Sequence, residues 1–173
     1  RRVVFLSVTF FITILLGFFL INNDFELVIR FWVTFFLLGI SVLPVTIYLF
    51  KEFKNAGYLF SKIIGLTLCS YFLWLFSSLH ILKFHTSTCI LSIVTVAVLS
   101  YLPIAIKKKN LNSFYNQIKE KWFYILLSEF AFLLLFILFI YLLGNKIPGT
   151  ETEKGMDYAL LSVLSRTEFM PPL

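Results

Sequence analysis

Apolar residues fall into five long runs separated by short polar connections. A helix needs about 20 predominantly apolar residues to cross the hydrocarbon core of a bilayer. Each run is close to that length, and each is too uniformly apolar to be one face of a water-exposed helix. Barrel strands are shorter and alternate in polarity, so the pattern favours helices over strands. We therefore predict an all-α, multi-pass bundle over residues 1–147, with transmembrane helices at about 3–21, 31–50, 63–82, 86–106 and 122–143.

Composition agrees with a chain that resides in the bilayer. Only 14% of residues are charged and the mean hydropathy is +0.92, whereas soluble domains carry about 25% charged residues. The sequence pI near 9.4 does not indicate nucleic-acid binding, because the basic residues lie between apolar runs, where they act as topology signals. The predicted partner is the lipid bilayer, with no nucleic acid.

The distribution of lysine and arginine predicts the orientation. With five crossings and the N-terminus inside, ten of the fifteen basic residues fall on the inner side. The positive-inside rule favours this arrangement. It predicts a multi-pass protein of the cell membrane with a cytoplasmic N-terminus and residues 148–173 outside.

The inner connection at 107–121, with sequence KKKNLNSFYNQIKEK, is long and basic. Its apolar residues recur at helical spacing, which favours a helix lying on the anionic inner surface. A solvated basic loop is an equally good interpretation of the same residues.

Residues 148–173 form the longest polar stretch outside the apolar runs. Thr150 and Glu153 fit a capping box at the start of a helix, predicted from about Glu151 to Thr167. Glu153 and Asp157, four residues apart, share one face, and we expect Met156, Leu160, Val163 and Leu164 to form the opposite, apolar face. The helix is predicted to lie flat on the outer membrane surface and to end before Pro171 and Pro172.

Two carboxylates at a water–lipid boundary have three possible uses. They can act as a general base on a hydroxyl group, hold a divalent metal beside a phosphate, or stabilise a helix N-terminus through capping and charge. The spacing alone leaves all three open.

Glu129 is the only acid within the fifth run. A charge inside a membrane helix is costly and usually faces the bundle interior or a wet cavity. Glu129 is either an acid on a proton or substrate path, or a hydrogen-bonded structural acid with partners such as Ser128 and residues of further helices. His80 and His85 are too far apart on a helix to share a face, and no complete metal-ligand, nucleotide-binding or catalytic-triad motif is present.

Three segments carry a resemblance to a known family. The segment EKGMDYALLSVLSR (Glu153–Arg166), followed by FMPP, resembles a block of the YYY membrane-protein family, an uncharacterised group of multi-pass proteins. The segments GYLFSKIIGLTLCSYFLWLFSSL (Gly57–Leu79) and SEFAFLLLFILF (Ser128–Phe139) are similar to earlier parts of that family.

That family is similar to polytopic glycosyltransferases that use lipid-phosphate-linked sugars. The resemblance implies catalytic roles for Glu153 and Asp157 and phosphate contacts for Lys154 and Arg166. It also implies a polyprenyl-phosphate sugar as partner and a divalent metal as a candidate cofactor. Gly155 stands where the family usually has proline, and Ser162 where it has asparagine.

The leading functional hypothesis is the N-terminal part of a membrane glycosyltransferase, inactive as this fragment alone, in which residues 148–173 begin a region continuing beyond Leu173. The alternatives are a transporter or lipid-handling protein that uses Glu129, and a membrane scaffold without chemistry.

Overall fold

All regular structure in the described part of the chain is helical. The computed structural model describes residues 2–21, 24–106, 108–144 and 152–170, and it contains no strand in these ranges. The all-α prediction is confirmed. In chain order the helices are α1 (Arg2–Ile21), α2 (Phe25–Ser41), α3 (Leu43–Leu49), α4 (Tyr58–Ser78), α5 (Thr86–Ile106), α6 (Lys108–Gly144) and α7 (Thr152–Arg166).

Four of these helices are long and apolar enough to cross a membrane, and a bent pair makes a fifth candidate. Many of their large apolar side chains lie on the outside of the bundle; Phe11 is 64% exposed and Phe19 is 77% exposed. Water would not stabilise such a surface. A lipid bilayer does, so the fold is that of a multi-pass membrane protein.

The second apolar run forms two helices rather than one. The axes of α2 and α3 differ by 59°, and the break falls at Val42, between Ser41 and Leu43. Pro44 lies in the first turn of α3, where a helix has no use for its missing N–H. The bend therefore needs no distortion at the proline itself.

Small residues bring α2 and α4 into close contact. Gly65 lies against the backbone of Leu38, and Gly39 lies against Ser61 and Lys62. Membrane helices commonly associate through close packing of this kind, because there is no hydrophobic driving force between helices in lipid. The contact leads into a buried apolar cluster that joins α2, α4 and α5, made by Leu38, Val42, Cys69 and Val96.

A second cluster joins α1, α2 and α6. Val28, Leu133 and Ile137 are buried there, with Phe10 and Ile21 packed against them. The two clusters give the bundle two apolar centres, with α2 contributing to both.

The inner connection belongs to α6. This helix runs without interruption from Lys108 to Gly144, 37 residues, or about 55 Å at 1.5 Å per residue. Residues 108–121 are therefore neither a separate surface helix nor a loop. Lys121 donates hydrogen bonds to the carbonyl oxygens of Lys51 and Phe53, which ties α6 to the turn before α4.

Candidate functional site

The helix predicted in the acidic segment is present as α7. Asp157 and Arg166 are both exposed on it. Glu153 and Lys154 lie in its first turn, but their side chains are outside the described part of the structure. Thr150, and with it the predicted capping box, also lies outside the described residues.

Asp157 borders the apolar side chains of α7 rather than facing away from them. At 100° per residue, its direction is within about 60° of those of Leu160, Leu161 and Leu164. The expectation that the apolar residues occupy the opposite face was wrong, because a separation of three or seven residues returns to nearly the same side of a helix. Since Leu160 is 55% and Leu161 65% exposed, the carboxylate sits among leucines that face the surroundings.

The structure does not bring Asp157 and Arg166 together. Nine residues on one helix place them about 180° apart around the axis and about 13.5 Å apart along it. One phosphate-sized group cannot contact both side chains.

The residues after α7 are bound to the connection between α4 and α5. The backbone N–H of Phe84 donates to the carbonyl oxygen of Glu168 at 2.6 Å, and Lys83 Nζ lies 2.8 Å from the Glu168 carboxylate. The backbone N–H of Met170 donates to Ser77 Oγ at 3.0 Å. These contacts place the end of α7 and the α4–α5 connection on the same side of the bundle.

His80 takes part in the same contact through its ring. The imidazole stacks on the ring of Phe169, with centroids 4.8 Å apart. His80 has a left-handed backbone, φ +55°, which is uncommon for residues other than glycine. His85 contacts Ser87 at 3.5 Å, and the two histidines are not joined by a third ligand: no group of three metal-binding side chains occurs in the described ranges.

Glu129 is buried in the bundle and has partners on two other helices. Lys62 Nζ lies 2.8 Å from Oε2 and donates to Oε1 at 3.2 Å. Trp32 Nε1 donates to Oε1 at 2.6 Å. Glu129 and Lys62 are only 3% and 2% exposed, so an ion pair closed off from the surroundings links α2, α4 and α6.

Aromatic rings enclose the lysine of this pair. Lys62 Nζ lies 4.4 Å from the centroid of the Phe132 ring and 5.4 Å from that of Tyr58, within the range of cation–π attraction. Ser128, expected to satisfy Glu129, instead accepts a hydrogen bond from Asn55 Nδ2 at 3.1 Å.

The pairing of Lys62 with Glu129 was not predicted from the sequence. One signal was available: a lone acid in a membrane helix requires a partner, and Lys62 directly precedes the run at 63–82. Its place in the first turns of α4 made it a candidate within the same chain.

The helical fold and the buried Lys62–Glu129 pair together define a polytopic α-helical membrane protein whose helices are joined by a polar contact. A sequence model of the family described as uncharacterized membrane protein (DUF2298) matches residues 68–173, more than half of the 173-residue chain. The chain belongs to this family, which confirms the expected membership of an uncharacterised membrane-protein family. Searches of curated proteins and of solved structures gave no match.

Proposed function

We propose that the protein is a membrane glycosyltransferase that moves a sugar from a polyprenyl-phosphate donor, with Asp157 as the reacting acid. The observation that carries this proposal is the position of Asp157. An exposed carboxylate lies among exposed leucines on a helix whose following residues are bound to the α4–α5 connection. This arrangement suits a donor with a lipid tail and a polar head.

The chemistry requires one proton transfer and one displacement. The acceptor hydroxyl gives its proton to the Asp157 carboxylate, and its oxygen forms a bond to the anomeric carbon of the donor sugar. The bond between that carbon and the phosphate oxygen breaks, which releases polyprenyl phosphate. A positioned general base of this kind contributes about 10²–10⁴-fold to the rate.

Glu153 is assigned the supporting role, since it lies one helical turn before Asp157. Two carboxylates at this spacing also suit a divalent cation, which would neutralise charge on the phosphate. Lys154, in the same first turn, is the phosphate contact nearest to Asp157 along the chain.

The proposal treats Glu129 as a structural acid rather than as an acid on a transport path. Lys62 and Trp32 contact its carboxylate. A charge-paired, hydrogen-bonded acid is typical of a structural contact between helices.

The proposal places the protein in the cell membrane, with the N-terminus in the cytoplasm and α7 outside. This orientation is supported by the excess of basic residues on the inner side.

Sugar transfer from a labelled polyprenyl-phosphate donor tests the proposal in membranes that contain the full-length protein. We expect Asp157→Asn to lower the transfer rate by about 10²-fold or more and Glu153→Gln to lower it less. Glu26→Gln is the matched control, because Glu26 is an exposed acid on α2 paired with Arg30. Unchanged transfer in both α7 variants would remove the catalytic assignment and favour a scaffold.

A further inference from the structure

A cavity of about 490 Å³ lies between the end of α7 and the α4–α5 connection. Its volume is within the usual range for small-ligand sites, about 300–1,000 Å³. The lining combines two nitrogen-bearing side chains with an aromatic ring and a hydroxyl, and consists of His80, Val163, Arg166, Thr167, Glu168, Phe169 and Met170. It is not the Asp157 site, because Arg166 points to the other side of α7.

Arg166 is the main charge available to a ligand in this cavity. Among the described residues it has no carboxylate within ion-pair distance, and it is exposed. The acid of the cavity, Glu168, is already paired with Lys83 at 2.8 Å. The net charge of Arg166, Glu168 and Lys83 together is therefore positive. A guanidinium can bind a phosphate through two parallel hydrogen bonds.

His80 offers a second polar atom. Its Nδ1 lies 3.1 Å from the carbonyl oxygen of Ser78. A carbonyl oxygen only accepts hydrogen bonds, so a hydrogen bond at this contact requires Nδ1 to be the donor. Nε2 is then left for a ligand and can accept the proton of a monoprotonated phosphate.

The ring is held in place from two sides. The stack on Phe169 fixes one face, and the Ser78 contact fixes its rotation. The backbone contacts between residues 77–84 and 168–170 hold the two walls together. An imidazole held in this way loses less conformational entropy on binding.

We propose that this cavity, formed by Arg166 and His80, binds a phosphate monoester group. The phosphate is either that of a membrane lipid, whose chain would extend along the exposed apolar side of the bundle, or that of a soluble molecule. The proposal does not require Asp157 to be catalytic.

Binding measurements on the purified full-length protein in detergent test the site. The probes are farnesyl phosphate, farnesol and inorganic phosphate. We expect farnesyl phosphate to bind and farnesol to bind at least about tenfold more weakly, because the charged contacts supply the affinity. Inorganic phosphate that binds as tightly as farnesyl phosphate identifies a soluble ligand, whereas much weaker binding identifies a lipid.

Variants then assign the residues. Arg166→Gln is expected to weaken farnesyl phosphate binding at least about tenfold, and Arg166→Lys less, because lysine keeps the charge without the planar fork. His80→Asn removes the imidazole while asparagine tolerates the left-handed backbone. The matched control is Arg30→Gln, an exposed arginine on α2, which should leave binding unchanged.

Equal loss in the Arg166→Gln and Arg30→Gln variants, or equal binding of farnesol and farnesyl phosphate, would overturn the proposal. Asp157→Asn distinguishes the proposed phosphate site from the catalytic assignment. Binding of farnesyl phosphate is expected to persist in this variant whether or not sugar transfer is lost. Loss of binding in Asp157→Asn would place the phosphate on the other side of α7.

Discussion

Lys62 Nζ lies 2.8 Å from Oε2 of Glu129, although the two residues are 67 positions apart in the chain. Both side chains are almost fully buried. Their contact joins α4 to α6, and Trp32 adds α2 through its indole N–H. The buried ion pair thus lies where three helices meet.

Removing one partner of this pair should destabilise the bundle. Lys62→Met leaves the Glu129 charge unpaired inside apolar helices, at a cost of about 2.5–3.5 kcal/mol on insertion scales. Glu129→Met leaves Lys62 in the same situation. The double variant, with methionine at both positions, should recover most of the loss because no charge is left without a partner. Free energies of unfolding in detergent measure these differences.

The exposed pair Glu26–Arg30, 2.6 Å apart, is the control. Arg30→Met is expected to change stability by less than about 1 kcal/mol, as surface pairs contribute little. If the losses from Lys62→Met and Glu129→Met simply added in the double variant, the pair would not be acting as a unit.

Trp32→Phe keeps an aromatic ring beside Phe10 but removes the donor to Glu129. A hydrogen bond to a charged group contributes about 1.5–3 kcal/mol, so we expect a loss in that range. In the variant with methionine at 62 and 129, the same substitution should cost much less. A double-mutant cycle gives the coupling; a coupling energy near zero would mean that the indole acts through packing alone.

Two glycines should respond to alanine in opposite directions. A methyl group on Gly65 would overlap the backbone carbonyl of Leu38, and overpacking of this kind costs about 1–3 kcal/mol. Gly155 has open space around it within α7, so alanine there should strengthen that helix by about 0.5–1 kcal/mol. Thermal unfolding measures the first, and the helical content of an isolated α7 peptide in lipid vesicles measures the second. A stable Gly65→Ala variant would contradict the close approach of α2 and α4.

Sidedness can be measured by cysteine labelling in intact cells after the two native cysteines, Cys69 and Cys89, are replaced by alanine. Cysteines at Lys83 and Ser165 should react with an impermeant thiol reagent from the same side, because the α4–α5 connection is bonded to the residues after α7. The excess of inner basic residues predicts that this side is outside. A cysteine at Lys51 should react only after lysis. Reaction of the first two from opposite sides would contradict the structure, and reaction of Lys51 alone in intact cells would reverse the orientation.

Most of the helical architecture could be read from the hydrophobic pattern. An uninterrupted apolar run forms a helix in a bilayer, since every backbone polar group must be satisfied internally. The fourth run coincides with α5, Thr86–Ile106. The break at Val42 was not predicted, because the run stays free of charge through Ser41 and Pro44. Pro44 was visible, but proline occurs both inside membrane helices and at their starts.

Only those parts of the candidate site that depend on neighbouring residues in the chain could be predicted from the sequence. The helix at residues 152–166 was predicted from the capping-box residues Thr150 and Glu153 and from the prolines beyond it. The contacts of Glu168 with Phe84 and of Met170 with Ser77 join residues more than 80 positions apart, and no local pattern encodes such pairing. For the same reason the cavity at Arg166 and His80 was not predicted, although both residues were singled out.

The uninterrupted course of α6 has a rotational consequence. A helix without a break turns as one body, so a contact at one level sets the direction of every side chain along it. Lys121 binds the turn at Lys51 and Phe53, and Glu129 binds Lys62 two turns further on. With two such contacts α6 cannot spin about its axis, and the leucines and phenylalanines of its far half point in a set direction. Any helix that joins the bundle there meets a surface whose angular position is set by the contacts of Lys121 and Glu129.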